Sequence, residues 1–268
     1  MPELPEVETI KNELSPFAVG RKITGVDILW PRMLKRPPLD EFQSAIAGRK
    51  ITGLGRRGKY LIFRLSGGKN LLFHLKMSGS LLTGRGEPPP YTRAVIRLDD
   101  GTSVFFRDPR KFGTLHLIDE ADDFLCKLGP EPLDPGFMPG VLRALLCCRK
   151  APVKAVLVDQ GVIAGIGNMY ADEALFSARI HPLRPASSLS DKEVKMLHAA
   201  IGEVLRTAIT NKGASMTAYF RPGGQTGAAQ EGFRVAHRVN KPCPVCGGLV
   251  QRIVVRGRGT YFCPRCQK

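Results

Sequence analysis

No stretch of apolar residues in this sequence approaches the roughly 20 needed to cross a bilayer. The chain opens on acidic, proline-punctuated residues and lacks the apolar centre of a secretory signal. Acidic residues are scarce: 24 Asp and Glu face 40 Lys and Arg, a formal charge of +16. From Gly232 to Lys268 there is no acidic residue at all. That stretch holds Arg234, Arg238, Lys241, Arg252, Arg256, Arg258, Arg265 and Lys268. A solvated surface mixes signs. A one-signed tail is the footprint of a polyanion partner, and nucleic acid is the commonest. The seven cysteines are an odd number, and four have metal spacing. Both facts argue against a disulfide framework and for a reducing, cytoplasmic setting.

What is present organises into two regimes. With 268 residues, 43% of them hydrophobic, the chain can bury one large core or two modest ones. Val7, Ile10 and Leu14 recur on one helical face after Pro5, and Pro16 is expected to end that helix. Six β-like runs follow, at 22–29, 59–65, 70–77, 93–98, 102–107 and 114–118, separated by turns such as Asp99-Asp100-Gly101. A helix followed by hairpin-linked strands implies a β-sandwich, with residues 84–90 as an exposed loop.

The Gly- and Pro-rich segment Leu128–Gly136 marks a boundary, and beyond it the period becomes helical. Short helices are expected at 138–148, 152–159 and 168–177. A longer one starts at a Ser190–Glu193 capping box and is followed by Gly213. A Gly-rich loop, 215–230, then leads to the last cysteines. The fold class is therefore α+β.

Cys243-Pro-Val-Cys246 and Cys263-Pro-Arg-Cys266 are separated by 16 residues. Each pair can bend two thiolates around one ion, with a hairpin between them completing a tetrahedron. Gly257 and Gly259 are expected at its turn. Four thiolates leave no open position, so one structural Zn2+ is expected, holding the Arg256–Arg258 tip on a segment too short for its own core. Cys126, Cys147 and Cys148 lie in apolar settings and are expected in the core.

The opening Met1-Pro-Glu-Leu-Pro-Glu-Val-Glu-Thr9 crowds chemistry onto a terminus. Pro2 is small enough that Met1 is expected to be removed, leaving a secondary amine with a pKa around 8. Such an amine can attack an electrophilic sugar carbon and form an iminium. The Gly165-x-Gly167-Asn168 turn before a helix offers backbone N–H groups to a phosphate. It lacks the third glycine of a dinucleotide fingerprint, since Tyr170 stands there.

The opening segment resembles that of the bacterial formamidopyrimidine-DNA glycosylases. The likeness continues through Arg57-Gly-Lys59-Tyr60-Leu61, His74-Leu-Lys-Met77-Ser-Gly79, Asp108-Pro-Arg110-Lys-Phe112-Gly113, Leu128-Gly-Pro-Glu-Pro132, Gly165 to Glu173 and the cysteine module, in family order. The resemblance implies a DNA glycosylase and abasic-site lyase acting as a monomer on duplex DNA with oxidised bases or abasic sites. It implies a catalytic β-sandwich domain at 1–130, a helix–two-turn–helix domain at 131–215, a lesion-side loop and linker at 216–240, and a zinc finger at 241–268.

By that resemblance Pro2 is the nucleophile, Glu3 the acid for the departing base, and Glu6 a supporting carboxylate. Lys59 is the proton-transfer partner, and Arg258 a phosphate ligand assisting δ-elimination. Met77, Arg110 and Phe112 fill and read the gap left by an extruded nucleotide, and Lys150, Asn168 and Tyr91 are further DNA contacts. Tyr91 stands where many members have histidine, and Val235-Ala236-His237-Arg238 replaces a Val-Tyr-Gly pattern. Leu4 with the Met77, Arg110 and Phe112 set favours oxidised purines. The alternatives are an endonuclease VIII-like enzyme for oxidised pyrimidines and a non-catalytic zinc protein that binds DNA.

Overall fold

The computed structural model describes residues 1–119, 123–216 and 219–268. Residues 217 and 218 of the expected 215–230 loop thus lie outside the described residues. The chain forms two compact units: Met1–Leu125 with Asn211–Gln230, and Cys126–Thr210 with Glu231–Lys268.

The first unit begins with α1 (Leu4–Ala18), whose Leu4, Val7, Ile10, Leu14 and Ala18 are fully buried. Pro16 does not end it. A proline in the last turn forfeits only one N–H bond. The helix continues, so that Ala18 reaches the core and the Val19 N–H closes on the Ser15 carbonyl.

Next come β1 (Ile23–Ile28), β2 (Leu34–Arg36), α2 (Leu39–Ile46), β3 (Ile51–Arg57), β4 (Tyr60–Leu65) and β5 (Lys69–His74). They are followed by β6 (Ser80–Gly84), β7 (Thr92–Leu98), β8 (Ser103–Arg107) and β9 (Thr114–Asp119). One sheet runs β1-β7-β8-β6 and the other β2-β9-β5-β4-β3. Phe63 and Phe73 of the second sheet share one core with Leu81, Ile96 and Phe106 of the first. That is the expected sandwich. It rests on period-two burial of the kind seen in β4, where Leu61, Phe63 and Leu65 are buried and the residues between them are not.

Register decides what this sandwich can carry. Tyr60 pairs with His74, and His74 with Thr114. Ser80 and Thr92 both pair with Arg107. Four connections therefore emerge at one end: the turn bearing Lys59, the loops 75–79 and 108–113, and the end of loop 85–91.

The second unit holds α3 (Pro139–Leu146), α4 (Val153–Leu157), α5 (Asn168–Ser177) and α6 (Asp191–Thr210), then the hairpin of β10 (Gln251–Val255) and β11 (Arg258–Phe262). The capping box is present: the Ser190 N–H donates to Glu193 at 2.8 Å and the Glu193 N–H to the Ser190 hydroxyl at 3.4 Å. Cys126, Cys147 and Cys148 are exposed, contrary to expectation. The buried residues of α3 are Leu142 and Leu146, which leaves the next two positions off its inner face. Gly259 is also not in the turn. It pairs with Val254, and Arg256 and Gly257 make the bend with positive φ. Among the described residues, no helix is long and apolar enough to cross a membrane.

Candidate active site and nucleic-acid interface

Glu3 is the N-cap of α1, and its side chain accepts the Glu6 N–H while the Glu6 carboxylate accepts the Glu3 N–H at 2.7 Å. This reciprocal box fixes both carboxylates at the positive end of the helix. Both side chains are buried, as is Pro2, while Met1 is exposed. The other Glu6 oxygen accepts the Ala214 N–H at 2.8 Å. Gly213, just before it, has φ +76° and would place a Cβ within 2.9 Å of the Glu6 side chain. Only glycine meets both conditions. The segment is pinned further along by Arg221, whose guanidinium makes a forked pair with Glu13 (2.6–3.1 Å).

The Lys59 turn is held to the same helix. Arg56 donates to Glu8 at 2.9 Å and to the Gly58 carbonyl at 2.9 Å. Burial raises the Glu8 carboxyl, but its bonds to Lys11 and Arg56 outweigh this and hold it below the usual range. Lys59 is buried. Burial, then the charges of Lys76 and Lys59, push His74 down to about 3, so its ring is neutral at physiological pH. Its Nδ1 accepts the Lys76 N–H at 3.0 Å, which leaves Nε2–H as a donor.

At the same end, Met77 is 46% exposed and Phe112 48% exposed. Large apolar side chains left in solvent at a loop tip invite a partner. Arg110 is exposed and stacks its guanidinium over Phe112 at 4.9 Å. The two loops are tied by Asp108, which is buried. Its carboxylate accepts the Ser78 hydroxyl and the N–H groups of Arg110 (3.3 Å) and Gly113 (2.7 Å). Lys76, Tyr91 and Lys111 all have φ between 52° and 68°. Such strain concentrates at working loops.

In the second unit, α5 is the anchor. Asn168 Nδ2 donates to the Gly259 carbonyl at 2.7 Å, and Asp172 accepts the Tyr261 N–H at 3.2 Å, so β11 hangs from one helix face. Glu173 accepts the N–H groups of Arg234, Val235 and Ala236 at 2.8–3.0 Å. Lys154 pairs with Asp172 inside the unit, both about 1% exposed. Burial pushes the Asp172 carboxyl up to about 7 against the pull of Lys154. Breaking such a pair from one side strands a buried charge. Lys154→Met is expected to cost about 3–5 kcal/mol, read as a lower denaturation midpoint of this unit and earlier zinc release.

Cys243, Cys246, Cys263 and Cys266 bring their sulfurs within 4.8 Å of one another. Cys243–Cys266 measures 3.8 Å and Cys246–Cys263 3.5 Å. A tetrahedron with Zn–S arms of about 2.3 Å has edges of roughly 3.8 Å, so the four thiols fit one structural zinc. Arg258 is exposed where β11 starts. Lys150 is exposed and lines an open cavity of about 320 Å3 with Arg149 and Arg256.

The sequence matches three family models: the formamidopyrimidine-DNA glycosylase N-terminal domain at residues 1–115, the H2TH domain at 128–219, and the zinc finger found in FPG and IleRS at 240–268. It is 48% identical to the formamidopyrimidine-DNA glycosylase of Chloroflexus aurantiacus, covering 100% of this chain and 98% of that protein. The chain belongs to the formamidopyrimidine-DNA glycosylase family. Among solved members, the MutM (Fpg) protein of Thermus thermophilus superposes with a TM-score of 0.91 at 42% identity, over 99% of this chain and 98% of that one. A Lactococcus lactis Fpg mutant in complex with Fapy-dG-containing DNA gives 0.93 at 35% identity, over 100% of both chains.

Within this family frame, the pairings of several supporting residues carry no signal in the sequence. Arg56 and Glu8 stand 48 positions apart, and Ser78 and Asp108 stand 30 apart. Asp172 and Glu173 fall inside a family-like motif that gives them no role of their own; their burial on α5 supplies it. The Gly165 N–H, expected to be open to a phosphate, is engaged by the Gln160 side chain at 2.9 Å. Where the family has Tyr-Gly, Ala236 still reaches Glu173, and His237 adopts φ 58° with its ring 5.2 Å from Tyr261. His237 thus takes a left-handed backbone conformation without being glycine.

Proposed function

We propose that this protein excises oxidised purines, 8-oxoguanine and ring-opened formamidopyrimidines, from duplex DNA in the bacterial cytoplasm. It then cuts the strand by β,δ-elimination. The observation that carries the reading is the N-terminus of α1. A buried Pro2 adjoins two capped carboxylates, Glu3 and Glu6, and a lysine turn is roped to the same helix through Glu8 and Arg56.

Once Met1 is removed, the Pro2 nitrogen carries a lone pair on a secondary amine. That pair attacks C1′ of the damaged nucleotide, and the glycosidic electrons leave with the base, which takes a proton delivered by Glu3. The attacking nitrogen then loses its proton, and the C1′–O4′ bond opens with a proton going to O4′. This leaves a Pro2–C1′ iminium that acidifies the C2′ proton. Lys59 shuttles protons as the 3′ phosphate departs, and Arg258 holds a phosphate for the second elimination. Glu6 keeps the helix start and residue 214 in place. Met77 fills the vacated stack, Phe112 wedges beside it, and Arg110 reads the widowed base. Tyr91, Lys150 and Asn168 complete the contacts to the backbone. Residues 1–130 carry the chemistry, 131–215 and the finger at 241–268 grip the duplex, and 216–240 faces the lesion.

The oxidised-pyrimidine reading draws on a solved complex of the Lactococcus lactis Fpg with DNA containing an oxidized pyrimidine, at 35% identity. Single-turnover excision from 8-oxoguanine:C and thymine-glycol:A duplexes separates the two. Faster release of 8-oxoguanine is expected, and faster release of thymine glycol overturns the purine reading.

A further inference from the structure

Arg107 ends β8 between Ser80 and Thr92 of the flanking strands. Its guanidinium lies 5.5 Å from the Tyr91 ring and 5.3 Å from the Phe220 ring. Some arginines of this unit have carboxylates: Arg56 has Glu8, Arg97 has Asp27 and Arg221 has Glu13. Among the described residues, Arg107 has none, and its Nη1 is sealed from solvent without an acceptor. A guanidinium cannot shed its proton to escape that cost, and stacking on two rings satisfies none of its N–H groups.

The clamp is held from several sides. Tyr91 sits at φ 68°, a strained setting for an aromatic residue, and its carbonyl accepts the Asp108 N–H at 3.0 Å. That bond locks Tyr91 beside Arg107. Phe220 is placed by its own N–H on the Ser80 hydroxyl at 3.1 Å. Three elements converge to aim one cation whose hydrogen bonds remain unspent. The nearest carboxylate in sequence, Asp108, is consumed by Ser78, Arg110 and Gly113. The loops at this end add Lys76, Arg110 and Lys111 against one further carboxylate, the exposed Glu87. No carboxylate among the described residues neutralises this half-buried cation, so its solvent-open edge suits an oxygen anion from outside the chain.

We infer that Arg107, clamped between Tyr91 and Phe220, is a phosphate ligand for bound DNA, donating from the solvent-open part of its half-buried guanidinium to a non-bridging oxygen of the backbone. This rests on the DNA-processing function proposed above. Guanidinium forks match phosphate oxygens, and stacking removes the disorder that otherwise weakens a long side chain.

The zinc-loaded full chain is titrated with a duplex carrying a tetrahydrofuran abasic analogue, from about 50 to 300 mM salt. Each phosphate neutralised by the protein contributes about −0.9 to the slope of log K against log salt. Arg107→Met is expected to flatten the slope by about that amount and to weaken binding roughly tenfold. A steep wild-type slope that Arg107→Met leaves unchanged overturns the assignment, whatever happens to its stability. A flat wild-type slope sinks the DNA reading itself. Arg107→Gln, closer in polarity, covers poor folding of the methionine variant through single methylphosphonate substitutions along the duplex. One position is expected to cost the wild type affinity and cost Arg107→Gln nothing. No such coupling at any position rejects the contact.

Discussion

A chain whose Pro2 nitrogen is blocked, by retained Met1 or by a fixed N-terminal extension, is expected to form no borohydride-trapped adduct with an abasic duplex. Acylation turns the amine into an amide whose lone pair is delocalised into the carbonyl, and a tertiary amide cannot yield an iminium. Removing the group that makes the covalent bond costs on the order of 10³-fold or more in rate. Binding should persist, because the cations proposed to contact phosphates are untouched. Mass spectrometry of the reduced mixture locates the bond, and a salt titration of the same protein shows that the duplex is still held. An adduct on Lys59, or an unchanged yield from the blocked chain, removes Pro2 from the mechanism.

Stripping the zinc is expected to have the second large effect. Structural zinc in small modules supplies roughly 10–16 kcal/mol of apparent binding energy at neutral pH, and that energy is folding energy. The finger has little else: its buried cluster is Phe176, Val235, Cys243, Val250 and Cys263, two of them metal ligands. Chelation, or Cys246→Ser, should therefore melt the hairpin, release Arg258 and Arg256 from fixed positions and weaken DNA binding at least tenfold. The first unit has no part in this cluster and should keep its unfolding transition. Metal content, duplex affinity and far-ultraviolet circular dichroism read the three consequences. A zinc-free chain that binds as tightly as the loaded one would show that the hairpin is a bystander.

The features legible in sequence are those written in local spacing. Helix α5 runs over the expected 168–177, because a Gly turn precedes it and apolar residues fill it. The four cysteines converge as their x2 and x16 gaps demand. Strand β3 leaves no such trace: Gly53, Gly55, Arg56 and Arg57 break its alternation, and only Ile51 and Gly55 are buried. Strand β2, three residues long, exists because it pairs with β9, a tertiary fact. The short strand β6, which pairs with β8, is hidden for the same reason. Pro16 obeys a local stop rule on paper, and burial of Ala18 overrides it. The adjoining thiols of Cys147 and Cys148 have core-like neighbours in sequence, yet α3 turns them outward.

For the site itself, the family motifs name the chemical groups but not their fixtures. Neither the Asp108 tie nor the α5 anchor has a periodic signature. Both depend on residues that meet only after folding, and only their burial reveals them. The Arg107 clamp is of the same kind. Its Tyr91 face is visible as a departure from the family pattern, its Phe220 face not at all.

Residues 211–230 return to the N-terminal unit after the chain has built most of the other. The gene for this protein is therefore not modular in the way its family domains suggest. A fragment ending near residue 125 would lack the Ala214 N–H that Glu6 needs and the Arg221 fork on Glu13. Recombination that exchanges the front half between relatives must carry this later patch with it, or the transplanted helix arrives with an orphaned carboxylate at its working end.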